Sequence, residues 1–212
     1  AYFEQHWPEY RDRAIADLRA SLGSKQPVAE QKLSSGKTLE LRVGDYKDAD
    51  NINMRDHEFY STTALAICKG DTSFFRIASF SDSPLEPVGF YFVMNYFEND
   101  EHWTKKDHEG QRKVGEGELI YVSPSARGYK LGSILTADSA LEIIDDESRD
   151  VLRFEVTNEK VGHILTNLGF RPVGKATYGY EDFKIGLSER ETVRQIFQKY
   201  LNQFVRAPSP NQ

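Results

Sequence analysis

The sequence predicts an α/β chain with antiparallel hairpins first and one strand–helix–strand unit after. Three observations carry this. Residues 116–123 form an apolar strand that runs into a loop punctuated by Gly128 and Gly132 and then into a helix. Two apolar runs, 73–80 and 88–97, are separated by SDSPLEP, whose Ser and Pro residues suit a turn. The alternating strand 151–156 leads into 159–168, where Val161, Ile164, Leu165 and Leu168 keep the i, i+3, i+4, i+7 spacing of a helix face.

Residues 2–22 predict a helical arm. DRAIADLRASL has high helix propensity, Pro8 is tolerated in a first turn, and Gly23 stops the helix. Ile15, Leu18 and Leu22 share a face. The favoured role of the arm is packing on its own domain; dimerisation or covering of substrate is the alternative, so a homodimer stays open. Residues 23–36 are polar and predict a linker. A strand at 38–43 precedes a helical segment from Asp45 to about Cys68, opened by an Asp cap and broken near 57–61. The helix at 130–145 has Leu131, Ile134, Leu135, Leu141 and Ile144 as its apolar set, with Asp138 interrupting the stripe. After 159–168, Gly169 is the expected αL cap. A hairpin is predicted over 171–186, and a last helix over 188–205 with Ser188 as cap and Glu191 at the capping-box position. Residues 207–212 predict a disordered tail. The organisation is thus an arm and linker at 1–36, one folded domain at 37–206, and the tail.

A chain of 212 residues with 39% hydrophobic and 12% aromatic residues is long and apolar enough for a sizeable core. No apolar run approaches the ~20 residues that span a bilayer, so no membrane partner is expected. The opening AYFEQHWPEY is acidic and aromatic, unlike a secretory leader, and the single Cys68 excludes an intramolecular disulfide; both point to a cytoplasmic setting. A net charge of −6 argues against a nucleic-acid partner and suits a cationic one. The five histidines show no helix-type or Cys-paired spacing, so no metal site is expected. There is no G-x-S-x-G elbow, Walker loop or G-x-G-x-x-G fingerprint, which counts against nucleotide-dependent transfer on a doubly wound sheet.

The strand–loop–helix at 116–132 has the parts of an anion site. N–H groups at a helix start point outward, glycine allows close approach of the backbone, and Arg127 adds a permanently charged fork. Its spacing, Val122-x-Pro124-x-x-Arg127-Gly128-x-x-Leu131-Gly132, resembles the cofactor loop of the GCN5-related N-acetyltransferases. A second match, Val156-Thr157-Asn158-x-x-Val161-x-x-Ile164-Leu165-x-x-Leu168-Gly169-Phe170, resembles that family's strand–Asn–helix–Gly-Phe motif. The two lie in the family's order and cover about 116–170; strand order extends the resemblance to roughly 38–187.

The resemblance implies a mixed, mostly antiparallel twisted sheet with a splayed parallel strand pair, flanked by helices. It implies acetyl-CoA, or another acyl-CoA, as co-substrate and an amine-bearing acceptor, either a small molecule or a protein amine. The pyrophosphate would lie on Arg127, Gly128, Tyr129, Lys130, Leu131, Gly132 and Ser133. Backbone groups of Ile120, Tyr121 and Val122 would meet the pantetheine arm and thioester, and Asn158 would contact the cofactor, with helix capping as its other role. Glu116 and Glu118 stand two residues apart on one strand face and are the candidate bases; their other role is that of surface acids at a strand end. Two departures stand out. Leu165 occupies the position where the family often has a general-acid tyrosine, and Tyr178 and Tyr180 are weak substitutes. Lys130 stands where the loop usually has glycine. They keep open a catalytically silent protein that binds acyl-CoA as a sensor or scaffold. The charged loop at 98–115, with Trp103, is expected either to border the acceptor site or to be a solvated hairpin tip.

Overall fold

The computed structural model describes residues 2–57, 74–97, 111–156, 159–168, 170–175 and 181–206. Its strands are β1 (Ala29–Lys32), β2 (Thr38–Val43), β3 (Phe74–Phe80), β4 (Pro87–Phe97), β5 (Lys113–Val122), β6 (Val151–Val156), β7 (Arg171–Lys175) and β8 (Glu181–Gly186). Its helices are α1 (Tyr2–Gly23), α2 (Tyr46–Asp56), α3 (Leu131–Asp145), α4 (Glu159–Asn167) and α5 (Arg190–Leu201). The strands follow the sheet order β1-β2-β3-β4-β5-β6-β8-β7. β1–β2, β2–β3, β6–β8 and β7–β8 are antiparallel, while β5–β6 is parallel. A mixed, mostly antiparallel sheet is therefore what the sequence forms. The described residues divide into two compact units: 2–57, 74–90, 121–131 and 205–206 in the first, the remainder in the second.

In the first unit α1 packs on α2, the role favoured for the arm. Ala14, Leu18 and Leu22 are buried, and the Trp7 and His57 rings lie 4.4 Å apart. α2 is opened by Asp45 as expected. Its side chain accepts from the Asp48 amide, and the Asp48 side chain accepts from the Asp45 amide, a reciprocal capping box. His57 ends the helix in the left-handed region at φ 53°. The continuation towards Cys68 lies outside the described residues.

Two expectations are corrected here. The linker at 23–36 contains β1, paired with β2 from Ala29↔Leu41 to Lys32↔Thr38. Its sequence AEQK has no apolar alternation because β1 is an edge strand with little buried on either face. The last helix stops at Leu201 rather than 205. Val205 instead bridges to buried Leu33, and the Arg206 amide donates to the Lys32 carbonyl at 2.7 Å.

In the second unit α3 is buried nearly all round, with Ile134, Leu135, Ala137, Ala140, Ile143 and Ile144 all at most 1% exposed. Asp138, the interruption in its stripe, accepts a hydrogen bond from the Tyr91 hydroxyl at 2.6 Å. Tyr91 is fully buried, so its hydroxyl needs that partner. α5 starts at Arg190 with Glu189 as its cap residue and no side-chain cap bond, so Ser188 is not the cap. Arg190 instead donates to the carbonyls of Ile144, Asp146 and Arg149 around the end of α3. Those carbonyls are orphaned by the helix end, and a guanidinium fork satisfies several at once.

β5 begins at Lys113, earlier than 116, and pairs with β6 through Val114↔Val151, Gly115↔Leu152, Glu116↔Arg153 and Gly117↔Phe154. The two glycines are there for room. A Cβ at Gly117 would sit 2.2 Å from the Phe154 ring, and one at Gly115 would sit 2.6 Å from Ile143. Gly117→Ala is expected to cost about 1–3 kcal/mol in urea unfolding through overpacking, and Phe154→Leu in the same chain to recover most of that loss.

Candidate active site

The parallel register ends at Gly117↔Phe154, although β5 continues to Val122 and β6 to Val156. Among the described residues no β5–β6 pair follows, so the two strands part. A parting pair presents main-chain donors and acceptors in a direction where a strand would otherwise bind them. Ile120 and Val122 are half-buried and Tyr121 is buried, so this stretch of β5 is walled by its own side chains.

Glu116 lies just before the parting, 2% exposed. Arg153 donates from Nη1 to Glu116 Oε2 at 2.9 Å and to the Tyr96 hydroxyl at 2.6 Å. Burial, then the negative charge of Glu116, push the Tyr96 phenol well above its ordinary range, so it stays protonated. Glu116 is thus a carboxylate fixed by an ion pair inside the second unit. Arg153→Met would leave that carboxylate buried without its cation and is expected to cost about 3–5 kcal/mol in urea unfolding.

Beyond Val122 the chain turns. Ser123, at φ −57° and ψ 141°, has the polyproline-like backbone favoured before a proline, and a short 3₁₀ turn, Pro124–Ala126, follows. Arg127, Gly128, Tyr129 and Lys130 are exposed, whereas Leu131 is 1% exposed and offers a ligand only its main chain. Gly128 has φ 107° and Lys130 φ 61°. The loop therefore keeps a left-handed residue at 130 although the side chain there is Lys, with a backbone penalty that glycine would not incur. A Cβ at Gly128 or Gly132 would meet no heavy atom within 4 Å, so the loop has open space against both. Gly132 and Ser133 are half-buried in the first turn of α3, where amides face outward. The Tyr129 ring is held edge-on 5.3 Å from Phe80, with Lys37 Nζ 4.7 Å from the Phe80 centroid and 5.9 Å from that of Tyr129.

The end of β5 is tied to the end of α2 by a cluster that sequence patterns do not reveal. Asp56 Oδ2 accepts from the Tyr121 hydroxyl at 3.0 Å and from Ser123 Oγ at 2.9 Å. Arg55 donates to Asp56 Oδ1 from Nε at 2.7 Å, to Oδ2 from Nη2 at 3.0 Å, and to Ser123 Oγ at 2.7 Å. Burial works to raise the Asp56 pKa, but the Arg55 hydrogen bonds and charge, with Ser123 and Tyr121, outweigh it and hold the carboxyl below 3.8. The break of α2 near His57 was the one available signal, and it gives no hint of which groups meet there.

Asn158, Tyr178, Tyr180, Cys68, Gly169 and residues 98–110 of the charged loop lie outside the described residues. Leu165 is fully buried and supplies no acid. Among the described residues no group of three or more His, Cys, Asp or Glu is placed to hold a metal ion, and no helix is long and apolar enough to cross a membrane.

Comparison with known proteins places this geometry. No family model matches the chain. A mycothiol acetyltransferase of Nocardia farcinica is 26% identical over 166 residues, covering 76% of this chain and 53% of the relative. The chain thus spans about half the length of that curated relative. Arabidopsis thaliana NAA60 in complex with acetyl-CoA matches with a TM-score of 0.52 at 10% identity, over 70% of this chain and 97% of that one. AtaT complexed with acetyl-methionyl-tRNAfMet matches with a TM-score of 0.50 at 15% identity, over 73% of this chain and 98% of that one. The chain has the fold of the GCN5-related N-acetyltransferases. Lys130→Gly is expected to raise stability by about 1 kcal/mol in chemical denaturation, because it relieves a left-handed side chain.

Proposed function

We propose that the protein is an acetyl-CoA-dependent N-acetyltransferase acting on an amine. The observation that carries this is the parting of β5 from β6 after Gly117, on a strand that then enters a loop with left-handed residues at 128 and 130 ahead of α3. The relative at 26% identity, named for acetyl transfer, supports the same reading. Acetyl-CoA would supply a thioester carbon to which the amine nitrogen bonds as the carbon–sulfur bond breaks. Backbone groups of Ile120, Tyr121 and Val122 bind its amide-bearing arm. Arg127 and the main chain from Gly128 through Ser133 hold its pyrophosphate, with Lys130 adding an ammonium and Tyr129 lying over the ligand. Asn158 is assigned to the cofactor side.

A protonated amine cannot attack, so a base must take its proton. Glu118 is given that role. Glu116, closed from solvent and paired to Arg153, keeps the negative charge fixed behind it rather than meeting the amine. The thiolate leaves without a dedicated acid, since a thiol pKa near ~8.5 already makes it a fair leaving group.

The acceptor is an amine of unassigned size. The net charge of −6 is no ground for excluding a nucleic-acid-borne amine, because AtaT, of the same fold, is solved with an acetylated aminoacyl-tRNA. Calorimetric titration tests the proposal, with acetyl-CoA, free CoA and NAD compared. Both CoA species should bind and NAD should not, with Arg127→Ala weakening binding about tenfold, the scale of one charged hydrogen bond. In an amine screen Glu118→Gln should lower kcat by about 10²–10⁴ with little change in CoA affinity. Tight CoA binding with no turnover on any amine would favour the silent binder instead.

A further inference from the structure

We infer that Asp56 is a positioning residue for the acyl group: it clamps the main chain of Tyr121–Val122–Ser123 so that the peptide at Val122 is fixed against the thioester carbonyl. The inference rests on the acetyl-CoA reading above and goes beyond it by naming what sets the geometry.

Tyr121 and Ser123 flank Val122 and stand on the same face of the chain, and both hydroxyls donate to the same oxygen, Asp56 Oδ2. Two side chains tied to one atom fix the rotation of the peptide units between them. Val122 is left on the opposite face. The tie is stiff for three reasons. Ser123 is fully buried and Tyr121 is 9% exposed, so little of either side chain meets solvent. The Tyr121 ring also lies 5.4 Å from Phe90, which limits its swing. The carboxylate is itself held, because Arg55 bonds both Asp56 oxygens and reaches Ser123 Oγ as well. The Ser123 amide donates to the Val88 carbonyl at 2.9 Å, anchoring the end of the segment to β4.

None of these side-chain groups is placed to react. The Ser123 hydroxyl is enclosed and already both donates and accepts, so it is no nucleophile. Asp56 accepts from three residues, Arg55, Tyr121 and Ser123. The arrangement is that of a brace, and what it braces is the strand end at which an acyl carbonyl would sit. Such preorganised amides act where charge develops on that oxygen.

The clamp predicts a loss selective for the carbonyl. Three ligands separate the possibilities: free CoA, ethyl-CoA, which is a thioether without a carbonyl, and acetonyl-CoA, which keeps a carbonyl but cannot be cleaved. Two variants remove the brace from either end. Asp56→Asn changes the acceptor, and the paired Tyr121→Phe, Ser123→Ala change removes both donors while leaving the Arg55–Asp56 pair intact. Thermal melts confirm that each is folded. Both variants are expected to bind acetonyl-CoA about tenfold more weakly, the scale of one lost or misaligned hydrogen bond, and free CoA and ethyl-CoA within about twofold of the parent. In turnover kcat should fall and the KM for acetyl-CoA should change less. Equal weakening of all three ligands, or no change in any, would overturn the clamp while leaving the acetyl-CoA reading in place. A parent protein that binds none of the three would overturn both.

Discussion

The structure depends on one constraint: β5 and β6 must lie parallel in register for four residues and then separate. A parallel pair normally continues, since each added residue pairs more main chain. Here packing favours close approach only at the start. Gly115 and Gly117 remove side chains where Ile143 and the Phe154 ring come against the strand. Glu116 and Arg153, directly opposite in register, add an ion pair one position before the last pair ahead of the separation. Past Gly117 neither device recurs. The sequence places small residues and a buried charge pair where the strands must meet, and larger side chains, Leu119 to Val122, where they part.

Buried charge recurs as a fastening across the molecule. Glu116–Arg153 fixes the strand pair, Asp56–Arg55 fixes the strand end, and Arg42 with Glu40 fixes the turn before β1 by donating to the Lys25 carbonyl. Such pairs contribute little net stability, because desolvation offsets their attraction, but breaking one is costly. They are well suited to holding geometry.

Much of the fold was legible in the sequence because its elements carry strong local signals. The i, i+3, i+4, i+7 pattern of α4, the Asp45 cap of α2 and the SDSPLEP turn each have a local physical cause. What escaped was set by distant partners. β1 has no apolar alternation because it is an edge, and only its pairing with β2 makes it a strand. Asp138 spoiled the stripe of α3 until the Tyr91 hydroxyl accounted for it. Ser188 looked like a cap, but the helix starts at Arg190, whose guanidinium serves the end of α3. The site divides in the same way. The backbone of the loop at 127–132 was legible because conformation is written in Gly128 and in the spacing to Gly132, and Lys130 too is left-handed. The Asp56 cluster was not, because Arg55, Tyr121 and Ser123 meet only in the folded chain. Glu116 and Glu118 look alike in sequence, and only packing distinguishes a carboxylate locked to Arg153.

In the proposed function acyl-CoA occupies the main chain where β5 leaves β6 and the loop that follows. Amide hydrogen exchange with and without saturating acetyl-CoA tests it most directly, since it reads backbone protection along the chain without needing the acceptor. Slowed exchange is expected in peptides covering 118–123 and 127–133, with 29–43 unchanged. Unchanged exchange across 118–133 in the presence of bound acetyl-CoA would contradict it.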